Sequence, residues 1–332
     1  MSKIRFYPSL FVVALLLGLR GSSFLSQVLG NAGLVFLGKA LAGPPDEVAC
    51  GFAVRAEALL WRATTYDAEN NSAWRGLGFA LEAQGEEEKA VIAWRTVGDM
   101  AQEFIQWGEQ ARSAGQYQEA LEHYERAWVV SPDLADPWYY TGLAYEEMAQ
   151  WEQALAAYDR ALQGSASVDV GQSSIYYRKG VIYQWRLEPR QVEKALAAYE
   201  AAIESDDFNS NREAADCHYR RGEILRWMGT DSAEYIAEYR QATDLDPGHA
   251  PAHIYLGVAY YALDGDVAAA EAEIRQALAL GTHGQWAYYQ LGEIYRQEGK
   301  TIEAIAMYER ALEIDPSLEV AQKRLQSLDD GE

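Results

Sequence analysis

Cysteine and histidine are scarce in this chain of 332 residues, which contains two cysteines and five histidines. Cys50 and Cys217 lie far apart in the sequence, and no cysteine pair has the CxxC spacing of a zinc site. His249 and His253 are four residues apart, but Pro251 between them argues against a metal site on a regular helix. So few thiols leave the redox compartment open, and we expect no metal and no cofactor.

The chain also lacks the residue constellations of an enzyme. No serine or cysteine has a base at a fixed spacing, as a nucleophile would need. Acidic clusters, such as the three glutamates at residues 86–88, are typical of solvated helix starts rather than of general acid–base catalysis. The sequence therefore predicts a protein without catalytic activity.

Basic residues are far outnumbered, with 28 lysines and arginines against 50 aspartates and glutamates. The imbalance is uneven, because residues 1–45 contain four basic residues and no acid, whereas residues 46–332 have a net charge of −26. A surface this acidic repels phosphate groups, which argues against binding of DNA or RNA and against contact of this part with anionic lipid.

A strongly apolar run without charged residues lies near the beginning of the chain. Fourteen uncharged residues, 6–19, follow Lys3 and Arg5 and precede Arg20. This length is typical of the apolar region of a signal peptide, since a membrane span needs about 20 residues. Residues 21–38 are also uncharged and largely apolar, so an uncleaved anchor is an alternative, and a buried first helix is another.

We therefore predict that residues 1–30 are a signal peptide or a membrane anchor. Basic residues ahead of an apolar run place the N-terminal end in the cytoplasm and the downstream chain on the other side of the membrane. The remainder of the chain is then either anchored with its folded part outside the cytoplasm or exported after cleavage.

The remaining sequence is organised by a recurring pair of helical patterns, best seen in residues 285–316. Tyr288, Leu291, Gly292 and Tyr295 share one face of the first predicted helix, and Ala304, Tyr308 and Ala311 share one face of the second. The small residues Gly292 and Ala304 permit close approach of the two backbones, while the larger residues fill the space around them.

The same pattern begins near residues 71, 101, 135, 173, 215, 250 and 285. It resembles the tetratricopeptide repeat, a helix–turn–helix unit of about 34 residues. A less regular first repeat spans residues 31–70, with Leu34, Leu37, Gly38 and Leu41 assigned to its first helix and Ala56, Leu60 and Ala63 to its second. The resemblance implies an all-α, right-handed α-solenoid over residues 31–316, closed by a capping helix and acidic tail at residues 317–332.

The family resemblance also implies that a protein or peptide binds in a concave groove lined by the first helix of each repeat. The side chains predicted to line that groove are Tyr140, Tyr177, Arg178, Trp185, Tyr219, Arg220, Trp227, Tyr255 and Tyr289. Tryptophan, tyrosine and arginine are the residues that most often anchor protein interfaces. Such a groove would suit a peptide that carries apolar and acidic residues.

Within this set, two arginine–tryptophan pairs are expected to stack in neighbouring repeats. One pair is Arg178 with Trp185, and the other is Arg220 with Trp227. The alternative is that each tryptophan packs against its own repeat and each arginine pairs with a nearby acid such as Glu223 or Glu188.

Together these features predict an interaction scaffold, membrane-tethered or exported, that binds a partner within an envelope assembly. The alternative is an accessory subunit of a membrane enzyme complex, held there by its N-terminal apolar segment. The sequence leaves the partner and the oligomeric state open.

Overall fold

The computed structural model describes residues 22–42, 47–165 and 170–329, and these form 17 α-helices. The predicted signal peptide or anchor, residues 1–30, therefore lies mostly outside the described residues. The helices are α1 (Ser22–Leu41), α2 (Glu47–Tyr66), α3 (Asn71–Glu82), α4 (Glu87–Arg95), α5 (Met100–Ser113), α6 (Tyr117–Val130), α7 (Asp136–Glu147), α8 (Trp151–Ala161), α9 (Gln172–Trp185), α10 (Val192–Ser205), α11 (Asn211–Met228), α12 (Ser232–Leu245), α13 (Ala250–Asp264), α14 (Val267–Ala279), α15 (Gly284–Gln297), α16 (Thr301–Ile314) and α17 (Glu319–Asp329). The predicted all-α fold class is confirmed.

Consecutive helices pack in pairs, and we call the first of each pair helix A and the second helix B. The helices belong to two compact units, the first ending at Ala149 and the second beginning at Gln150. In the first unit α1 packs with α2, α3 with α4 and α5 with α6. In the second unit the pairs are α9 with α10, α11 with α12, α13 with α14 and α15 with α16. The division falls between α7 and α8.

A glycine in helix A lets helix B approach closely in most of these pairs. A Cβ atom placed on Gly180 of α9 would lie 2.5 Å from Cε1 of Tyr199 in α10, too close for any side chain. The same relation joins Gly78 to Trp94, Gly108 to Tyr124, Gly222 to Tyr239 and Gly292 to Tyr308. An aromatic ring of helix B thus lies directly against the backbone of helix A.

These aromatic residues of helix B form the centre of each helix pair. The tyrosines that are completely buried are Tyr124, Tyr158, Tyr199, Tyr239 and Tyr308. Several of their hydroxyl groups donate hydrogen bonds back to helix A, as Tyr199 does to Gln184 Oε1 at 2.8 Å. The rings of Tyr124, Tyr199 and Tyr308 are therefore held by apolar packing on their faces and by a polar partner at their hydroxyl end, as buried tyrosines require.

In five of the described helix pairs, the turn between helix A and helix B contains one residue in the left-handed conformation. This residue is a glycine with φ between 65° and 77° at Gly85, Gly115, Gly229, Gly265 and Gly299. A left-handed residue ends a helix and satisfies its last carbonyl groups, and glycine adopts that conformation without a Cβ clash. The turn predicted at residues 299–300 is therefore a helix C-cap.

The first repeat differs from its predicted register. The helix-A residue in close contact with helix B is Gly33, where a Cβ would lie 2.6 Å from Cγ of Leu60, whereas Gly38 has nothing within 4 Å. Leu37 is buried as expected, but Leu34 and Leu41 are exposed. The assignment of Gly38 to the helix contact was therefore wrong. Helix α1 already extends from Ser22, and the face that it buries contains Ser26, Gly30 and Gly33, which lie nearer its start.

Helix α17 packs against α16 at the other end of the described chain. Leu318 and Ala321 are buried in a cluster with Tyr308 and Ala311 of the last repeat. Arg324 Nε donates a hydrogen bond to Glu293 Oε1 of α15 at 2.8 Å, and Glu319 and Lys323 of α17 are exposed on its outer side. The helix thus covers the apolar end of the last repeat with a charged outer surface.

Candidate functional site

The candidate site lies on α11, the helix A of the sixth predicted repeat, within the second unit. Asp216, Arg220, Glu223 and Trp227 follow one another at spacings of four, three and four residues, so they form one stripe along this helix. The first three are half-buried, and Trp227 is exposed to 73%. A tryptophan this exposed contributes little to the core of its own repeat.

Asp216 is the polar centre of this stripe and joins three helices. It accepts hydrogen bonds from Tyr177 Oη of α9 and from Arg220 Nε of α11, each at 2.5 Å. His249, which precedes α13, places Nε2 at 3.3 Å from Asp216 Oδ1. Because His249 Nδ1 accepts a hydrogen bond from the Ala252 amide at 3.1 Å, its Nε2 carries the ring hydrogen and donates a hydrogen bond to Asp216.

The partners of Asp216 determine its ionisation. Burial raises the pKa of a carboxyl group, but the hydrogen bond from His249, the charge of Arg220 and the hydrogen bond from Tyr177 together hold the pKa of Asp216 at about 2. Burial and the neighbouring carboxylate raise the pKa of Tyr177, so this phenol remains protonated and keeps donating. Asp216 is therefore an anion at neutral pH, and its charge is already neutralised by Arg220.

A second cluster lies further along α11, where an arginine covers aromatic rings. The guanidinium carbon of Arg226 lies 5.0 Å from the centre of the Tyr255 ring, a cation–π distance. Tyr255 in turn packs on Tyr219 and Tyr239, with ring centres 5.9 Å and 6.1 Å apart. Burial raises the pKa of nearby Glu223, although its hydrogen bond with Tyr219 and the charge of Arg220 oppose that shift. The result is an aromatic surface with a fixed positive charge.

The two tryptophans of this region both face solvent. Trp185, the last residue of α9, is exposed to 43%, and the guanidinium carbon of Arg190 lies 4.8 Å from its ring centre. Trp227 lies near the end of α11 and is the most exposed tryptophan of the described residues. We call Tyr177, Asp216, Arg220, Arg226, Tyr255, Trp185 and Trp227 the aromatic–arginine surface.

The predicted stacking of Arg220 on Trp227 is wrong, because Arg220 is held by Asp216. The partner of Trp185 on its ring face is Arg190, a residue of the turn that follows α9. Sequence reasoning missed Asp216 and His249. A signal for Asp216 was present, since it lies four residues before Arg220 on a predicted helix, a spacing that favours an ion pair.

The remaining predicted groove residues lie at other places on the A helices. Tyr219 is buried and packs beside His249, with ring centres 5.1 Å apart. Tyr140 belongs to the first unit and stacks on Tyr124 at 5.9 Å. Tyr289 of α15 contacts Trp286 and Tyr308, with ring centres 6.1 Å and 5.9 Å away. Arg178 is half-buried on α9. The lining of a groove by these residues stays a prediction.

The histidine pair considered for a metal site has other partners. His253 places Nδ1 at 2.7 Å from Glu273 and Nε2 at 3.2 Å from the carbonyl oxygen of Pro247. Within the described ranges, no group of three or more histidine, cysteine or acidic side chains could hold a metal ion. Both histidines instead connect neighbouring helices by hydrogen bonds.

Comparison with protein families identifies the repeat. Four family models described as tetratricopeptide repeats match residues 108–148, 138–163, 236–285 and 286–318. The chain is a tetratricopeptide repeat protein. Members of this family generally bind proteins or peptides and are generally not enzymes. No curated protein matches the chain.

Several solved tetratricopeptide repeat structures share the fold. PilF of Pseudomonas aeruginosa is 14% identical with a TM-score of 0.54, over 68% of this chain and 96% of that one. PilW, described as a type IV pilus biogenesis factor, is 16% identical with a TM-score of 0.51, over 68% of this chain and 98% of that one. The Cut9–Hcn1 structure is 16% identical with a TM-score of 0.52, over 85% of this chain and 55% of that one. At these identities the likeness shows the fold alone.

Proposed function

We propose that this tetratricopeptide repeat protein is a scaffold without catalytic activity that binds a protein or peptide partner through its aromatic–arginine surface. The protein is membrane-tethered or exported, and its partner belongs to an envelope assembly. The observation that carries the proposal is the exposure of Trp227 beside Arg226 and Tyr255, because exposed tryptophan, arginine and tyrosine side chains anchor interfaces most often.

The charge of this region supports a specific class of partner. Residues 178–226 contain nine basic and nine acidic residues, whereas the whole chain has a net charge of −22. A peptide with acidic and apolar residues would be repelled by most of the surface but could approach this neutral part. Its apolar side chains would cover Trp185 and Trp227, and its carboxylates would meet Arg190 and Arg226.

The tether is supported by the sequence ahead of the repeats. Residues 6–19 are uncharged and follow two basic residues, as in signal peptides and signal anchors. Helix Ser22–Leu41 is long and apolar enough to cross a membrane, with a mean hydropathy of 1.3. However, its buried face packs on α2, so we assign the tether to the residues that precede this helix.

We expect that the double variant Trp185→Ala, Trp227→Ala loses the partner of the wild-type protein. The test is quantitative capture from solubilised membranes of the source cells, with the captured proteins identified by mass spectrometry. Both side chains are exposed, so the variant should fold normally, and circular dichroism would check this.

The matched control is Ile302→Ala, which removes an apolar side chain that is 82% exposed on α16, a helix B. It should capture the same partner as the wild type. If the double variant retains every captured protein, recognition lies on another face and the proposed surface is incorrect.

A further inference from the structure

We infer that the first helix pair lies with its outer face on a membrane surface that contains anionic lipid. The outer face is the side of α1 and α2 that points away from α3. The inference rests on the proposed tether, and it adds that the first repeat itself is a lipid-contacting element. The argument combines the packing of α1, the composition of the outer face and the charge of the rest of the chain.

Helix α1 is an integral part of the first repeat. Its buried stripe consists of Ser26, Gly30, Gly33, Leu37 and Ala40, which lie against α2 and α3. Ser26 Oγ accepts a hydrogen bond from Asn70 Nδ2 at 2.7 Å, which fixes α1 to the start of α3. A helix surrounded by lipid could make none of these contacts. If α1 meets a membrane, it therefore does so with its opposite side.

The opposite side is apolar at its centre. Phe36 of α1 packs on Phe52 of α2 with ring centres 6.1 Å apart, and both rings are half-buried. Val35 of α1 and Val48 of α2 are exposed to 60% and 64%. A terminal repeat normally has a polar outer surface, as α17 has at the other end. The apolar outer face of the first repeat therefore requires a different environment.

Basic residues of this helix pair also lie on the outer face. Lys39 Nζ lies 5.6 Å and 5.7 Å from the ring centres of Phe36 and Phe52. Arg55 and Arg62 are exposed and follow Val48 at seven-residue steps, which keeps them on the same side of α2. Apolar side chains surrounded by lysine and arginine are the composition of surfaces that lie on anionic membranes.

The charge of the chain favours one orientation on such a membrane. Residues 22–66, which include the first helix pair, contain three basic and three acidic residues and have no net charge, whereas residues 67–332 have a net charge of −25. Anionic lipid therefore repels the later repeats but not the first helix pair, whose Lys39, Arg55 and Arg62 lie on the outer face. The proposed tether ends at residue 19, three residues before α1, so it would hold this helix pair within reach of the lipid headgroups.

The test places an environment-sensitive fluorophore on each side of α2 in the full chain. Position 48 on the outer face is labelled in the variant Val48→Cys, Cys50→Ser, and native Cys50 provides the matched control. Residues 48 and 50 point to opposite sides of the helix. Cys217 is buried and burial raises its thiol pKa, so it should not react with the label. Each protein is reconstituted into vesicles of three parts phosphatidylcholine and one part phosphatidylglycerol.

We expect a blue-shifted emission at position 48 and loss of most of its fluorescence to nitroxide-labelled lipid, with little of either at Cys50. The charge-reversed variant Arg55→Glu, Arg62→Glu should remain bound to vesicles through the tether but lose the quenching at position 48. Arg310→Glu with Lys323→Glu, which reverses two exposed basic residues of the second unit, should keep it.

Flotation of the vesicles distinguishes the proposed tether from the proposed lipid contact of the first repeat. If the protein floats but position 48 remains in water, the tether stands and the lipid contact of the first repeat is incorrect. If the protein does not float, the proposed tether and the lipid contact of the first repeat are both incorrect. If position 48 is shielded without vesicles, the outer face is covered by the N-terminal segment or by a second copy, which also overturns the inference.

Discussion

Replacement of Asp216 by alanine is expected to lower the free energy of unfolding by about 2 kcal/mol at pH 7. The change leaves Arg220 without its carboxylate and removes the acceptor of Tyr177 and His249 at once. The side chains of Asp216 and Arg220 are 23% and 24% exposed. The loss of folding free energy should therefore be smaller than for a fully buried ion pair. Urea unfolding followed by circular dichroism measures it.

The effect should depend on pH in a defined direction. The folded-state pKa of Asp216 is about 2, below the ordinary aspartate value of 3.8. A carboxyl group with a depressed pKa stabilises the fold above its unfolded-state pKa, and this contribution is lost as the pH falls through the folded-state value. The difference in stability between wild type and Asp216→Ala should therefore shrink between about pH 4 and pH 2.

A double-mutant cycle with Arg220→Ala provides the control. If the two residues interact as described, the double variant should be less destabilised than the sum of the single variants, by about 1 kcal/mol. Additive effects, or an unchanged stability of Asp216→Ala, would contradict the role of Asp216 as the polar link between α9, α11 and α13.

Replacement of Gly180 by leucine is expected to destabilise the second unit by about 3 kcal/mol. The first side-chain carbon would already lie 2.5 Å from Cε1 and 2.7 Å from Cδ1 of Tyr199. Tyr199 is completely buried and its hydroxyl group is bonded to Gln184, so the ring cannot move aside. The helix pair α9 and α10 would have to separate, and thermal unfolding would report the loss.

Gly51→Leu is the matched control for this prediction. Gly51 also lies within a helix, but a Cβ there would meet nothing within 4 Å. Leucine has the higher helix propensity, so this variant should be unchanged or more stable by up to about 1 kcal/mol. Equal destabilisation by both variants would mean that helix packing at Gly180 is not the cause.

The repeat register was accessible from the sequence because each repeat combines several constraints at fixed spacing. A glycine such as Gly180 and a tyrosine such as Tyr199 occur in the same relation in successive repeats, and each fits only when the other is present. The register of the first repeat could not be read in the same way. Its helix A contains several glycines, and only packing against Leu60 selects Gly33 among them.

The candidate site was predicted in part. Trp227 was predicted to lie at a groove position of helix A, and its side chain is exposed to solvent. The partner of Arg220 depends on which of several nearby acids comes within hydrogen-bond distance, and periodicity does not determine that choice. Asp216 is the partner of Arg220 because Tyr177 of α9 and His249 at the start of α13 also donate hydrogen bonds to its carboxylate.

Photo-crosslinking from position 227 tests the central claim most directly. Trp227 and, in a separate protein, Ile302 are each replaced by a photoreactive phenylalanine derivative, and the cells are irradiated. A binding surface at Trp227 predicts that one partner is crosslinked from position 227 and not from position 302. Crosslinking of that partner from position 302 alone, or equally from both positions, would contradict the claim that the aromatic–arginine surface is where this protein binds.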